Sequence, residues 1–242
     1  MMKESIKMSI RAIFFDLGWT LEIPETGDWM LTTCFRKYYP KDVTDRIDRD
    51  LWHSAMRKAA QPLIDYHRMD DLETEIKDFA QFYEILMSSL PGVTITPEIA
   101  EEISRDRCYN LDNVLTLPGT VHTLQTLKDR GYLLGVISDN WPSTRYRLEK
   151  TGLAQYFDQI TISSDLGIYK PDERLFLHAL QEMGVSAQES AFVDDLSMNL
   201  ETAEKLGMYP VLSLVKPNTK EDPRYAMIHA PEELLELEIF RK

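Results

Sequence analysis

The segment IRAIFFDLGWTL occupies positions 10–21 and places a short apolar run directly before an aspartate. The run from Ile10 to Phe15 is shorter than a typical helix, and its composition predicts a buried β-strand. It ends in the loop 16–20, where Gly18 permits an unusual backbone turn. We therefore expect Asp16 at the carboxyl end of the first strand.

Strand and helix patterns alternate downstream, from Leu117 onwards. Such alternation is typical of a parallel sheet that helices cover on both faces. The predicted strands are 132–137, 159–162, 190–193 and 210–214, and the predicted helices are 118–130, 143–150, 173–183, 198–206 and 231–240. The pattern predicts a doubly wound, mostly parallel, Rossmann-like α/β fold.

The stretch between the first strand and this alternating region has a helical character. Helical spacing occurs at 29–39, 43–66, 72–90 and 97–109. Pro62 falls inside the second stretch and is expected to kink or split it. The predicted organisation is an α/β core domain formed by 1–23 and 111–242, with an all-helical cap domain inserted at 24–110.

The composition disfavours several classes of partner. The 242 residues include 40 acidic and 27 basic side chains, a formal net charge of −13, which disfavours nucleic acid and anionic membranes. No apolar run approaches the ~18 residues of a membrane span. Cys34 and Cys108 lie far apart, so we expect neither a disulfide framework nor a cysteine metal site. We expect a cytoplasmic monomer or homodimer that binds neither nucleic acid nor membranes.

Polar residues follow the predicted strands, where open parallel sheets bind their ligands. The set is Asp16, Ser138, Asp139, Asn140, Asp194 and Asp195, together with Lys170 in the loop GIYKPD. Clustered carboxylates repel one another and need a cation, and Mg²⁺ prefers such oxygen ligands. A carboxylate beside Mg²⁺ can attack phosphorus, while a serine and a lysine stabilise the non-bridging oxygens.

Four ordered motifs resemble the haloacid dehalogenase-like hydrolase superfamily, in its phosphatase-type branch with a helical cap. They are FFDLGWTL (14–21), VISDN (136–140), GIYKPDERLF (167–176) and FVDDLSMNLETAEKLG (192–207). The resemblance covers the predicted core, and the helical insertion lies where the family places its cap. It implies a Mg²⁺-dependent hydrolase of a small phosphorylated or otherwise anionic metabolite.

The resemblance also implies a role for each matching position. Asp16 corresponds to the nucleophile and binds Mg²⁺ with its second oxygen, and the backbone carbonyl of Gly18 is a further ligand. Asp194 is implied as a metal ligand, with Asp195 supporting it directly or through water. Asn199 is implied to orient this loop.

The remaining implied roles concern the substrate. Thr20 corresponds to the residue that holds the nucleophile loop. Ser138 and Lys170 correspond to the groups that bind the phosphoryl oxygens, and Asp139 and Asn140 complete the expected substrate-binding set.

Gly18 departs from the family pattern, because phosphatases of this family usually carry a second aspartate there as the acid and base. One hypothesis is a phosphatase for good leaving groups, or one that borrows an acid from Glu22, Glu25 or Asp28, in which Gly18→Asp leaves activity intact or improves it. A second is a catalytically weak binding or regulatory protein. A third is a 2-haloacid dehalogenase, since a departing halide needs no proton.

The helical insertion supplies candidate contacts to an anionic substrate. Its arginines are Arg36, Arg57, Arg68, Arg105 and Arg107, and its aromatic residues include Trp29, Phe35, Tyr38, Trp52 and Tyr66. Trp19 and Trp141 flank the expected active-site motifs and are candidates for narrowing the cavity. The five histidines show no metal-ligand spacing and receive no catalytic role.

Overall fold

The computed structural model describes residues 10–241 and contains a six-stranded sheet in which all neighbouring strands are parallel. Its strands are β1 (Ala12–Phe15), β4 (Leu133–Ser138), β5 (Gln159–Ile162), β6 (Ser190–Asp194), β7 (Tyr209–Ser213) and β8 (Ala226–Ile228), in the order β5-β4-β1-β6-β7-β8. Strand β1 lies at the centre, between β4 and β6. The sheet confirms the predicted α/β fold class.

Helices cover both faces of this sheet. They are α6 (Thr120–Asp129), α7 (Ser143–Lys150), α8 (Ser163–Leu166), α9 (Glu173–Met183) and α10 (Ser197–Leu206). Alternate residues of β1 point to opposite faces, so Phe15 packs with Leu124 and Leu148 while Phe14 packs with Phe176 and Leu200. The two faces therefore have separate hydrophobic cores, and β1 is buried in both.

The segment between β1 and the rest of the sheet is helical. Its elements are α1 (Thr33–Tyr38), α2 (Lys41–Thr44), α3 (Arg49–Asp65), α4 (Leu72–Ser88) and α5 (Pro97–Tyr109). They bury a cluster of their own that includes Phe35, Phe79 and Ile103. Strand β2 (Glu22–Pro24) precedes these helices and strand β3 (Val114–Thr116) follows them, and the two pair in antiparallel fashion.

Several predicted elements differ from the structure. The helix predicted at 43–66 is not kinked at Pro62, since α3 continues through that residue. It is interrupted instead at 45–48, and Asp48 caps the start of α3 by accepting from two backbone N–H groups. The expected helix at 231–240 is wrong, since the chain forms two 3₁₀ turns there, Pro231–Glu236 and Glu238–Phe240. The short strands β2, β3 and β8 and the one-turn α8 were not predicted.

Strand β1 begins at Ala12, two residues after the start predicted from the sequence, Ile10. Cys34 is partly exposed and Cys108 is buried, and both are free thiols. Within residues 10–241, no helix combines the length and the apolar character needed to cross a bilayer.

Candidate active site

Asp16 follows the central strand β1 and is nearly buried, with 8% of its surface exposed. Its backbone N–H continues the sheet by donating to Val193 O at 2.9 Å. Its Oδ1 accepts from Ser138 Oγ at 2.9 Å and from Lys170 Nζ at 2.8 Å. Both bonds end on the same oxygen, so Oδ2 takes part in neither. The carboxylate is thus held at the carboxyl edge of the sheet with one oxygen free of these two donors.

Lys170 connects two carboxylates in the interior. Besides Asp16, its Nζ donates to Asp194 Oδ2 at 2.7 Å and to Ile137 O at 3.2 Å. Burial alone would lower the pKa of Lys170, but the charges of Asp16 and Asp194 raise it above its usual value. The ammonium therefore stays protonated, and its three hydrogens are engaged by protein oxygens.

Asp194 is completely buried, and both of its oxygens accept hydrogen bonds. Oδ1 accepts from the backbone N–H of Leu196 at 2.7 Å, and Oδ2 accepts from Lys170. Asn199 Nδ2 lies within 3.1 Å of both oxygens. Asp194 does not border the cavity described below. Its observed contacts anchor Lys170 and the loop after β6.

Asp195, the next residue, does border the cavity. Its Oδ2 lies 3.5 Å from Lys216 Nζ. Burial raises the pKa of the Asp195 carboxyl to about 7, and the negative charges of Asp16 and Asp194 add to the effect. The carboxylate therefore lacks enough positive charge nearby, which is the condition in which a bound cation is favoured.

The loop after β4 also reaches the cavity. Asp139 Oδ1 accepts from the backbone N–H of Lys170 at 2.9 Å, which ties the lysine loop to the end of β4. Burial raises the pKa of Asp139 to about 6, although the charge of Lys170 opposes the rise. Asn140 Nδ2 lies 3.3 Å from Ser138 Oγ, and its backbone N–H donates to Ser163 Oγ at 2.9 Å.

These side chains share one cavity of about 290 Å³. Its polar lining residues are Asp16, Arg107, Ser138, Asp139, Asn140, Lys170, Asp195, Asn199 and Lys216. The remaining lining residues are Gly18, Trp19, Trp29, Met30, Trp141 and Leu196. Every implied site residue except Thr20 and Asp194 borders this cavity, and Asp194 contacts it through Lys170 and Asn199. Such a cavity suits a small molecule with a charged end and a less polar remainder.

Gly18 lies against an indole ring. A β-carbon added at Gly18 would come within 3.0 Å of Trp29 Cζ2, closer than ordinary van der Waals contact. The Trp29 ring packs edge-to-face on Trp19, with centroids 6.4 Å apart. The space beside Gly18, where a larger side chain would begin, is therefore filled by an aromatic wall.

The loop that carries Asp16 has an unusual backbone. Trp19 has φ of 58°, a left-handed conformation that costs a bulky residue free energy. Its N–H donates to Glu22 O at 2.7 Å, and its carbonyl accepts from Ser213 Oγ at 2.8 Å. Thr20 is buried, its backbone N–H donates to Leu17 O at 3.3 Å, and its Oγ1 has no partner within the described residues.

The three acids considered as replacements for an aspartate at 18 do not border this cavity. Glu22 is buried and accepts from Arg147 Nη2 at 2.8 Å. Asp28 accepts from the backbone N–H groups of Met30 and Leu31, and Glu25 is exposed.

Arg107 is the one candidate arginine of the helical segment that borders the cavity within the described chain. Arg36 donates to Thr44, Arg68 and Arg105 pair with acids on the surface, and Arg57 is exposed. Among the candidate aromatic residues, Trp29, Trp19 and Trp141 border the cavity, whereas Phe35, Tyr38, Trp52 and Tyr66 do not.

Lys216 borders the cavity but was not predicted from the sequence as a site residue. It lies three residues beyond β7, and the rule that ligands bind beyond the carboxyl ends of parallel strands would have included it. Met30 and Leu196 were also missed, and no polar signal marks them.

The chain belongs to the haloacid dehalogenase-like hydrolase family, whose pattern matches residues 30–212. This match starts after Asp16, so the position of Asp16 rests on the sheet geometry above.

The relatives with a named activity include both phosphatases and dehalogenases. The glyceraldehyde 3-phosphate phosphatase of Methanocaldococcus jannaschii is 33% identical over 125 residues, covering 50% of this chain and 55% of that protein. The (S)-2-haloacid dehalogenase 4A of Burkholderia cepacia is 27% identical over 167 residues, covering 68% and 72%. The chain spans about half the length, 55% or less, of the first curated relatives it matches.

A solved structure shows the same fold over nearly the whole chain. It is the HAD-hydrolase YfnB of Bacillus subtilis, described as bound to magnesium, with a TM-score of 0.66, 17% identity and coverage of 97% of this chain and 100% of that one. At this identity the likeness concerns the fold alone.

Proposed function

We propose that this protein is a Mg²⁺-dependent phosphatase that hydrolyses a small phosphomonoester through nucleophilic attack by Asp16. The observation that carries the proposal is the hydrogen-bonded set around Asp16. Ser138 and Lys170 both bind Oδ1, and the carboxylate borders a cavity of substrate size. The phosphatases among the relatives support the same class of reaction.

The residues present fit a magnesium ion. Asp16 and Asp195 border the same cavity, and their mutual repulsion contributes to the raised pKa of Asp195. The described residues contain no group of three or more His, Cys, Asp or Glu side chains spaced as metal ligands. Mg²⁺ needs fewer, since it commonly binds one or two carboxylates, several waters and a phosphate oxygen. Asp16, Asp195 and the Gly18 carbonyl would hold it, and when bound it would neutralise phosphoryl charge.

This assignment gives Asp195, rather than Asp194, the leading metal role. The sequence resemblance implied the reverse order, with Asp195 in support. Both oxygens of Asp194 already accept from protein donors, whereas Asp195 borders the cavity. We propose that Asp194 instead holds Lys170 in place.

The chain's own residues would act in a simple sequence. An oxygen of Asp16 attacks phosphorus as the bond from phosphorus to the leaving oxygen breaks, and water then releases phosphate and regenerates the carboxylate. Ser138 and Lys170 orient Asp16 before attack, and both border the cavity, where they would stabilise the phosphoryl oxygens. We propose that the inserted segment 24–110 forms a cap that limits water access, because its residues Trp29, Met30 and Arg107 line the cavity.

Gly18 decides which leaving groups are suitable. With no acid at this position, substrates whose leaving group needs little protonation are favoured. A β-carbon at Gly18 would lie 3.0 Å from Trp29 Cζ2, so Gly18→Asp requires the Trp29 ring to move by a few tenths of an ångström. We expect Gly18→Asp to lose phosphate release, and Gly18→Asp combined with Trp29→Ala to recover part of it.

Dehalogenation is a second candidate, favoured by the same observation at Gly18. Displacement of a halide by Asp16 needs no proton donor, and a dehalogenase is among the relatives. Release of chloride from 2-chloropropionate without Mg²⁺ would support this candidate over the phosphatase.

The deciding experiment is a panel of small phosphomonoesters assayed with and without Mg²⁺. We expect Mg²⁺-dependent phosphate release by the wild type and its loss in Asp16→Asn. Asp129→Asn, a change at an exposed position of α6, is the matched control and should retain activity. Equal turnover by Asp16→Asn would refute the mechanism, and no turnover by any protein would favour a binding or regulatory role.

A further inference from the structure

Hydrolysis of the intermediate at Asp16 needs a base that Gly18 does not supply. Once the leaving group has gone, water approaches the group bound to Asp16 from the cavity, and the proton of that water needs an acceptor. Glu22, Glu25 and Asp28 do not border the cavity. A base within the protein is therefore expected among the other lining residues.

One lining carboxylate is left over once the roles proposed above are assigned. Within the described chain, the carboxylates that border the cavity belong to Asp16, Asp139 and Asp195. Asp16 is the proposed nucleophile and Asp195 the proposed metal ligand. No histidine, cysteine or tyrosine of residues 10–241 borders the cavity. The positively charged lining residues already pair with carboxylates, and they are Lys170, Lys216 and Arg107.

The two oxygens of Asp139 differ in their surroundings. Oδ1 accepts from the backbone N–H of Lys170 at 2.9 Å. Oδ2 accepts no hydrogen bond from residues 10–241 and is not completely buried, so water can reach it. Burial raises the pKa of this carboxyl to about 6, which makes it a stronger base than an ordinary aspartate and leaves it ionised at pH 7.5.

Asp139 is also connected to the nucleophile on two sides. It directly follows Ser138, the last residue of β4, whose Oγ donates to Asp16 Oδ1 at 2.9 Å. Lys170, whose backbone N–H binds Asp139, reaches the same Asp16 oxygen with its Nζ at 2.8 Å. The neighbours that orient Asp16 thus also hold the Asp139 carboxylate in place.

We propose that Asp139 is the general base that activates water for hydrolysis of the intermediate at Asp16. This inference rests on the phosphatase function proposed above. Asp139 Oδ2 takes a proton from water as the water oxygen forms its bond to phosphorus. The bond from phosphorus to the Asp16 oxygen breaks, and its electron pair returns to the Asp16 carboxylate. Phosphate leaves, and Asp139 then returns the proton to solvent.

The test separates the two steps with 4-nitrophenyl phosphate, whose leaving group departs without an acid. Asp139→Asn keeps an acceptor oxygen for the Lys170 N–H but cannot take a proton from water. Rapid-quench measurements with Mg²⁺ should show a stoichiometric burst of nitrophenol in this variant. Phosphate release should then be about 10²- to 10⁴-fold slower than in the wild type. Mass spectrometry of the acid-quenched variant should find a phosphoryl group on the protein.

Two controls assign the burst. Asp129→Asn makes the same chemical change at an exposed position of α6 and should behave as the wild type. Asp16→Asn added to Asp139→Asn should abolish the burst, because the group that is phosphorylated has been removed. If Asp139→Asn slows nitrophenol and phosphate release equally, without a burst, Asp139 has a structural role and the inference is overturned. Wild-type rates in Asp139→Asn overturn it as well.

Failure of this inference can be distinguished from failure of the phosphatase proposal. Phosphate release by the wild type, with an unchanged second step in Asp139→Asn, overturns the base and leaves the phosphatase intact. Release of chloride from 2-chloropropionate but of no phosphate refutes the phosphatase. An ester trapped on Asp16 in Asp139→Asn then supports the base, since water must break that ester too, and its absence overturns the base. Release of neither product by the wild type overturns both.

Discussion

Mild acid should destabilise this fold through His67, a buried histidine between the helical segment and the sheet. His67 is 3% exposed, its Nε2 lies 2.6 Å from Ser163 Oγ, and its ring stacks on Tyr169 with centroids 3.6 Å apart. Its Nδ1 is buried and has no partner in the described chain. A proton added there would create a buried charge and an unpaired donor. Burial accordingly lowers the pKa of His67 from 6.5 to about 4.

The sign of the effect follows from the two pKa values. Below pH 6.5 the unfolded chain takes up a proton at His67, while the folded chain resists protonation until about pH 4. Stability is therefore intact above pH 6.5, falls as the pH drops and has lost the full contribution below pH 4. At about 1.4 kcal/mol per pKa unit, full protonation lowers the free energy of unfolding by about 3 kcal/mol. About 2 kcal/mol of this decrease has occurred by pH 5.

The assay is urea unfolding at pH 7.5 and pH 5.0 for the wild type and His67→Gln. Glutamine can still hydrogen-bond to Ser163 but does not titrate. The free energy of unfolding of the wild type should fall by about 2 kcal/mol more than that of the variant. His53→Gln, altered at an exposed position of α3, controls for the loss of a histidine as such. Equal losses in wild type and His67→Gln, or an NMR titration of His67 near pH 6.5, would refute the reasoning.

Three further changes test packing, a buried ion pair and metal binding. Gly135→Ala would place a β-carbon 2.6 Å from Phe14 Cδ1, so urea unfolding should show a loss of about 1–3 kcal/mol, and wild-type stability would contradict the packing. Arg147→Met leaves the buried Glu22 unpaired and should cost about 3–5 kcal/mol, whereas adding Glu22→Gln should restore part of it. At about ten times its dissociation constant, Mg²⁺ should stabilise the wild type by about 1.4 kcal/mol in thermal unfolding, but not Asp195→Asn. An equal shift in both proteins would place the ion elsewhere.

The polar strand ends could be predicted from the sequence because the strands of the sheet are marked by their own residues. The run 12–15 is wholly apolar and wholly buried, and the residue after it is Asp16. Ser138 and Asp194 are likewise the last residues of their strands. In a parallel sheet all such residues lie on one edge, so their convergence required no knowledge of loop paths.

The short elements could not be predicted in this way. Strands β2, β3 and β8 have three residues each, too few to show a periodic pattern, and they exist through pairing with distant segments. The break in the helices at 45–48 likewise depends on the Asp48 cap, while Pro62 lies near the end of α3 and is tolerated there.

The sequence by itself determined the alternation of five of the six sheet strands with helices, the residues at the polar ends of those strands and the absence of an acid at Gly18. Tertiary structure alone decided that Trp29 fills the space beside Gly18, that Asp194 is committed to Lys170 while Asp195 borders the cavity, and that one arginine of five reaches it. The physical reason is the separation along the chain of the residues that interact. The positions of the strands depend on burying apolar runs, which are visible along the chain, whereas hydrogen bonds form within about 3 Å between groups that are far apart in sequence.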